Sequence, residues 1–349
     1  MQPGTYFDHN ATTPLLPHVA DVVVAAMHDA RANPHAQYRS AQNVAASVDR
    51  ARRSVARVLQ ADPNHVVFTS GATESNGHVL GKVQGRGDRL VSAIEHPSVA
   101  VHADRTIPVD RSGVVRLDAL DALLTEAPAR LVSVMGANNE TGVVQPVLDV
   151  VEVCRSHGVP VHCDASQMPG RVSLDVLSAP DFVTLSGHKM GGPRGVGVLV
   201  ARRPIDPLHL GGPQERGQRA GTVNTPGVLG FTAALEAVTP MSAEARDALE
   251  AVCIELGADI LGRGAPRLPN TVCALFDVPG DVLVMALDLA GFAVSTGSAC
   301  SSGAHKQSAV VTSMGRTGAP VRFSLGPDSD ISQLVRRLPE VVTRVRAAF

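Results

Sequence analysis

Lysine is the scarcest charged residue in this chain of 349 residues: of its 31 lysines and arginines, only Lys82, Lys189 and Lys306 carry an amine. Chemistry that needs a nucleophilic amine, such as a Schiff base with a carbonyl group, therefore has three addresses. Lys82 and Lys306 stand in polar, turn-like settings (Gly81-Lys82 and His305-Lys306-Gln307). Lys189 instead follows a strand-like run and lies among small residues in Ser186-Gly187-His188-Lys189-Met190-Gly191-Gly192. A carboxylate, Asp164, ends another such run, Val159–Asp164. There it could pair with a protonated ring nitrogen or simply cap a helix. Gln167, three residues on, could reach the same ligand. Ser70-Gly71-Ala72-Thr73-Glu74 joins a strand-like run to a helical pattern. Backbone N–H groups at a helix start, with a hydroxyl beside them, suit a phosphate, although an ordinary strand-to-helix turn has the same composition. His96 and Asn139 follow two further runs. The histidine could stack on an aromatic ring and the asparagine could donate to a ring oxygen, or both could be plain loop residues. Cys300 stands apart from the other four cysteines. A buried, inert thiol accounts well for Cys154, Cys163, Cys253 and Cys273. Cys300 lies in Ser295-Thr296-Gly297-Ser298-Ala299-Cys300-Ser301-Ser302-Gly303, whose small side chains cannot hold a loop by packing, and that predicts an exposed thiol, either accidental or a nucleophile that must move.

Positioning such groups needs a scaffold, and the hydrophobic pattern supplies one. Strand-like runs at His65–Ser70, Arg89–Ile94, Arg130–Met135, Val159–Asp164, Asp181–Ser186 and Gly195–Val200 alternate with helical patterns at Ala41–Gln60, Ser75–Val83 and Pro146–His157. Alternation of this kind predicts an α/β fold with a mostly parallel sheet covered on both faces, with ligands at the carboxyl ends of the strands. After about Phe231 the pattern changes: a helix over Ala243–Leu261, short strand-like runs, the Ser/Gly-rich loop at Ser295–Gly303 and a closing helix at Ile331–Phe349. This predicts a smaller α+β domain made of residues 1–10 and 241–349, beside a large domain of residues 11–240.

Composition narrows the function classes. Hydrophobic residues make up 44% and charged residues 18%, with aromatics at 3% and no tryptophan, so Val, Leu and Ala must fill the core. A net charge of −2 argues against direct nucleic-acid binding and against an anionic membrane surface. The five cysteines are odd in number and lack metal-ligand spacing, so at least one is unpaired within the chain and no metal is expected. That fits a reducing, cytoplasmic setting. Met1–Asn10 shows no secretion signal, and no apolar run is long enough to cross a bilayer.

Taken in order, the motifs resemble those of the cysteine desulfurases of the NifS/IscS-like family, with the class V aminotransferase fold. The resemblance begins at Tyr6-Phe7-Asp8-His9-Asn10-Ala11-Thr12-Thr13-Pro14 and Ser70-Gly71-Ala72-Thr73-Glu74-Ser75-Asn76. It continues through Asn138-Asn139-Glu140-Thr141-Gly142, Asp164-Ala165-Ser166-Gln167 and Ser186-Gly187-His188-Lys189. It closes with Gln214-Glu215-Arg216-Gly217-Gln218-Arg219-Ala220-Gly221-Thr222, Gly297-Ser298-Ala299-Cys300 and Val321-Arg322-Phe323-Ser324-Leu325-Gly326. The family's usual Asn-Pro-Ser-Ser is replaced by Asn33-Pro34-His35-Ala36, and its Glu-Pro-Ser after the cysteine by His305-Lys306-Gln307-Ser308. The resemblance implies a pyridoxal 5'-phosphate enzyme of fold type I. Lys189 would hold the cofactor covalently, Asp164 would pair with its ring nitrogen and His96 would stack on the ring. Asn139 and Gln167 would serve the phenolic oxygen. Gly71, Ala72, Thr73, Ser186 and His188 would cradle the phosphate, with Thr222 reaching over from the second subunit of a homodimer. Asn139 and Arg322 would bind the substrate, Arg322 clamping its carboxylate. L-Cysteine would become L-alanine, with its sulfur left as a persulfide on Cys300 and His96 a candidate proton relay. An acceptor protein would then carry the sulfur to iron–sulfur clusters or to the thiolation of a cofactor or tRNA. A class V aminotransferase would share Lys189 and Asp164 without needing Cys300, and a selenocysteine lyase would share all three.

Overall fold

The computed structural model describes residues 5–29, 32–297 and 307–349, so Cys300 and Lys306 lie outside the described residues. The chain opens with α1 (Pro17–Asp29) and α2 (Arg39–Val58), then β1 (Val66–Thr69), α3 (Ala72–Lys82) and β2 (Asp88–Ser92). Next come α4 (Pro97–Ala100), β3 (Arg105–Ile107), α5 (Leu117–Glu126), β4 (Ala129–Ser133) and α6 (Val147–Ser156). The strands β5 (Val161–Asp164), β6 (Phe182–Ser186) and β7 (Gly197–Ala201) follow, then α7 (Thr225–Ala237). The remainder holds α8 (Glu244–Glu255), β8 (Asp259–Ile260), β9 (Thr271–Leu275), α9 (Gly280–Leu289), α10 (Ala309–Ser313), β10 (Val321–Ser324) and α11 (Ser332–Arg346).

Seven strands form one sheet in the order β1-β7-β6-β5-β4-β2-β3. The pairs β3–β2, β2–β4, β4–β5 and β5–β6 are parallel, and β7 alone runs against its neighbours β6 and β1. The expected mostly parallel sheet is therefore present, and six strands deliver their carboxyl ends to one edge. Strands β1, β5 and β6 are buried throughout, as a sheet covered on both faces requires, and successive side chains enter opposite cores. Val66, Phe68, Val183, Leu185, Val198 and Val200 join a core beneath α1, α2 and α7. Val67, Phe182 and Leu199 join a second core on the other face with Val79 and Leu80 of α3.

The second sheet is small and antiparallel, β10-β9-β8, and has its own core. Phe7 is fully buried in that core, and Tyr6 and Asp8 bridge Ala293 and Ser324, so the first described residues pack with the end of the chain.

Some elements depart from the sequence expectations. The Ala243–Leu261 helix stops at Glu255, because Gly257 (φ +81°) turns the chain into β8. The strand expected from Val159 starts at Val161, after Pro160, which has no N–H to give the ladder. The helix expected at Ser75 begins three residues earlier, at Ala72, after Gly71 (φ +153°).

Candidate active site

Loops at the carboxyl edge of the large sheet converge on a cavity of about 760 Å³. Its walls include Gly71, Ala72 and Thr73 after β1, His96 after β2, and Asn139 after β4. Asp164 at the end of β5, Ser186, His188 and Lys189 after β6, and Arg322 of β10 complete the expected set found there. The geometry thus gathers residues spread over most of the chain around one space.

Lys189 sits in a single helical turn, Gly187–Met190, directly after β6. Its carbonyl accepts from Thr13 Oγ1 at 3.1 Å and from Arg171 Nη2 at 3.4 Å, so the turn is held from the N-terminal segment and from a buried arginine. Asp164 is 6% exposed. One carboxylate oxygen accepts from the Ser166 N–H at 3.0 Å and the other from Asn76 Nδ2 at 2.8 Å. Burial pushes the Asp164 pKa up, but Lys189 and the bonds from Ser166 and Asn76 outweigh it, and the carboxyl stays below its ordinary range. A buried anion is thus held ready for a cation. His96 hangs over the first turn of α4, with Nδ1 accepting from the Ser98 N–H at 3.1 Å. Burial, followed by the Lys189 charge, keeps its imidazole below the ordinary histidine range, and Asp164 opposes them.

The phosphate end is read from α3. Its first intrahelical bond runs from Ser75 N–H to Gly71 C=O, so the N–H groups of Ala72, Thr73 and Glu74 precede the ladder. Gly71 (φ +153°) holds a backbone conformation that favours glycine, and Gly197 of β7 must be small because a side chain there would come within 2.6 Å of the Gly71 Cα. Across the cavity, burial, Lys189 and Arg194 push the His188 pKa down to about 4. Such crowded positive charge would be relieved by a bound dianion, so the donor set fits a phosphate.

Arg322 is 1% exposed and spends its fork on the surrounding backbone. Nη1 donates to Asn139 O at 2.8 Å and to Gly297 O at 3.3 Å, and Nη2 pairs with Asp8 Oδ1 at 2.5 Å. Among the described residues Nε is buried with no hydrogen-bond partner, an unspent donor of the kind an acidic ligand satisfies.

Two expected residues stand elsewhere. Gln167 is buried behind the wall, its Nε2 donating to Asn10 O at 3.0 Å and its Oε1 taken by Arg171. Thr222 is exposed in a neighbouring cleft with His209, Gln214 and Arg219. The cleft and the cavity are linked through Glu74, which accepts from Arg219 Nε at 2.9 Å and Nη2 at 3.4 Å and lies 3.9 Å from His209 Nδ1. Cys300 lies outside the described residues, but the residues on either side of its segment, Gly297 and Gln307, both line the cavity.

Residues without an assigned role in the sequence also face this space: Asn10, Glu95, Glu140 and Arg194. Glu95 is 7% exposed, and burial is the main cause that pushes its carboxyl up to about 8. Glu140 is also raised by burial, while Ser308 Oγ donates to its Oε2 at 2.6 Å. The sequence signal was position: Glu95 and Glu140 each adjoin a residue already singled out.

Known proteins share the sequence pattern and the fold. Residues 5–336 match the family model for aminotransferase class-V. A cysteine desulfurase of Frankia sp. (strain EuIK1) is 39% identical, the match covering 97% of this chain and 90% of that protein. Among solved structures, a NifS-like protein superposes with a TM-score of 0.88 at 31% identity, covering 99% of this chain and 100% of that one. SspA in complex with cysteine gives a TM-score of 0.79 at 28% identity, covering 93% of this chain and 100% of that one. The chain belongs to the class-V aminotransferase family, a family of pyridoxal-phosphate enzymes, and within it to the cysteine desulfurases.

Proposed function

We propose that this protein is a pyridoxal-phosphate-dependent cysteine desulfurase that turns L-cysteine into L-alanine and carries the sulfur as a persulfide on Cys300. The observation that carries the reading is the shared cavity. Lys189, Asp164 and Arg322 meet there, and the residues flanking the Cys300 segment line the same space. An aminotransferase would have no use for that last feature.

When bound, pyridoxal phosphate supplies an electron sink that makes the α-proton of an amino acid removable. Lys189 would hold it through its amine, Asp164 would pair with the ring nitrogen, and His96 would lie against the ring. Ser186, His188 and the first turn of α3 from Gly71 to Thr73 would take the phosphate, with Thr222 contributed across a homodimer interface. Asn139 and Arg322 would orient the substrate, the guanidinium fork taking its carboxylate. The Lys189 amine, once free, would remove the α-proton. The Cys300 thiolate would attack the substrate sulfur, forming an S–S bond as the C–S bond breaks, and the substrate carbon that keeps the electron pair would take up a proton before alanine leaves. An acceptor protein would then collect the sulfur for iron–sulfur clusters or for thiolation of a cofactor or tRNA. Among the described residues no helix is long and apolar enough to cross a membrane, and the four described cysteines are free thiols, which supports a cytoplasmic setting. In this reading residues 11–240 form the cofactor-binding domain, and residues 1–10 with 241–349 form the domain that brings Arg322 and Cys300 to it.

The test is alanine released from L-cysteine, with a thiol reductant present, by wild type and Cys300→Ala. Release from wild type and almost none from the variant supports the reading. Equal release from both, or none from either with cofactor bound, rejects it and favours transamination.

A further inference from the structure

His96 and Asp164 occupy different strand ends, yet a chain of hydrogen bonds joins them. Asn76 Nδ2 donates to Asp164 Oδ2 at 2.8 Å and to Ser98 Oγ at 3.0 Å, which uses both of its hydrogens. Ser98 Oγ lies 2.8 Å from His96 Nδ1, and the Ser98 backbone N–H donates to the same nitrogen at 3.1 Å. A backbone N–H can only donate, so Nδ1 must present a lone pair. Because Nδ1 then carries no hydrogen, its contact with Ser98 Oγ is made by the hydroxyl hydrogen, and Oγ keeps a lone pair for the Asn76 amide.

The amide orientation is fixed from its other end. Turned over, Asn76 would set Oδ1 against the Asp164 carboxylate, oxygen against oxygen. Among the described residues Oδ1 is instead buried with no hydrogen-bond partner, while both Nδ2 hydrogens are used. Each group in the series therefore has one sense of donation, and the sense is set by the charge on Asp164.

We infer that Ser98 is a positioning residue that holds His96 as its Nε2–H tautomer and couples that tautomer, through Asn76, to the ionised Asp164. The nitrogen left for a ligand in the cavity is then a donor. It has no lone pair to accept a proton, and a second proton could enter only at Nδ1, head-on to the Ser98 N–H. The charged groups acting on His96 are Lys189, which opposes protonation, and Asp164, which favours it. This deepens the proposed function, resting on it only for the identity of the ligand: His96 would give a hydrogen bond and would not serve as the base that activates a thiol.

The test reads the tautomer directly. The full-length protein is labelled with ¹⁵N-histidine and loaded with pyridoxal phosphate, and the His96 signals are found by their loss in His96→Gln. Between about pH 6 and about pH 8, where free histidine titrates, wild type should keep a protonated Nε2 and a bare Nδ1. Ser98→Ala should move the tautomer ratio about fivefold towards Nδ1–H, the effect of one lost neutral hydrogen bond. Ser98→Thr, which keeps the hydroxyl, should restore the wild-type spectrum. An Nδ1–H tautomer or an imidazolium in wild type at neutral pH overturns the inference, and a Ser98→Ala spectrum identical to wild type overturns the part given to the Ser98 hydroxyl, because alanine keeps the backbone N–H that faces Nδ1. If Ser98→Ala does not fold, the wild-type spectrum still decides. The readout needs no turnover. An Nε2–H signal in a protein that releases no alanine from L-cysteine would therefore support this inference while rejecting the proposed function.

Discussion

Asp164→Asn tests the charge at the base of the cavity while keeping its volume. The side chain is 6% exposed, and the two groups that donate to it, Ser166 N–H and Asn76 Nδ2, are set for an anion. Asparagine offers one acceptor in place of two, so one of those donors would face an NH₂ group. The fold should survive, since no cavity opens and the one lost charge-assisted bond is worth about 1.5–3 kcal/mol. The chemistry should not. A ring nitrogen deprived of its carboxylate loses a charge-assisted bond of about 1.5–3 kcal/mol, and truncating one partner of a buried pair costs about 3–5 kcal/mol. At about 1.4 kcal/mol per decade, the loss in kcat for alanine release should lie between about tenfold and a few thousandfold. The assay is alanine production at saturating L-cysteine, with bound cofactor measured by absorbance on the same sample. A fully loaded variant within about twofold of wild type would refute the assignment of Asp164 to the ring nitrogen.

Three further outcomes follow from the same geometry. Arg322→Lys should raise KM for L-cysteine at least about tenfold, because one ammonium cannot reproduce a fork that holds Asn139 O, Gly297 O and Asp8 together; steady-state kinetics decide it. Arg52→Ala should cost about 3–5 kcal/mol in urea unfolding, since Glu215 pairs with Arg52 at 2.7 Å with both side chains buried and would be left as an uncompensated carboxylate. Glu95→Gln should change how stability depends on pH. An unfolded glutamate releases its proton near the ordinary value of 4.5 and the folded one near about 8, so between these the unfolded state binds fewer protons and wild-type stability falls as pH rises. Urea unfolding at about pH 5 and about pH 7.5 should show the wild type losing about 3 kcal/mol relative to Glu95→Gln, at about 1.36 kcal/mol per pH unit. Parallel curves would refute it.

Much of the frame was legible because its elements repeat one pattern. Fully buried strands such as Val66–Thr69 and Phe182–Ser186 read as short apolar runs between breakers, and Lys189 and Asp164 end or follow two of them. Helices buried on more than one side were not legible. α7 packs against both α1 and α2, so Thr225-Pro226-Gly227-Val228-Leu229-Gly230-Phe231 shows no polar face and no helical period. Its start was marked only by chemistry: Asn224 Oδ1 accepts from the Gly227 N–H at 3.1 Å, and Pro226 lies in its first turn. The gap was similar at the site. Groups that would act on a ligand belong to rare residue types at strand ends, whereas Asn76 and Ser98 hold other groups in place, and their importance exists only once β2, α3 and β5 are side by side.

Asn10 carries this distinction to its limit. It stands just after the segment whose Phe7 enters the small core, and it touches both halves of the site. Its N–H donates to Ser324 Oγ at 3.0 Å and its Nδ2 to Thr271 Oγ1 at 2.9 Å, both in the small sheet. The same Nδ2 donates to Asn139 O at 3.2 Å, and its carbonyl accepts from Gln167 at 3.0 Å, both beside the large sheet. Asn139 O is also an acceptor for Arg322. One asparagine thus fixes the distance between the guanidinium on one sheet and the Asp164 and Lys189 ends of the other. In the proposed function a carboxylate clamp at Arg322 and an amine at Lys189 would face the same small molecule from opposite sides, so that spacing would select ligands by length as well as by charge. The residues around the junction are buried and polar, and satisfying them all at once admits little sliding between the two sheets.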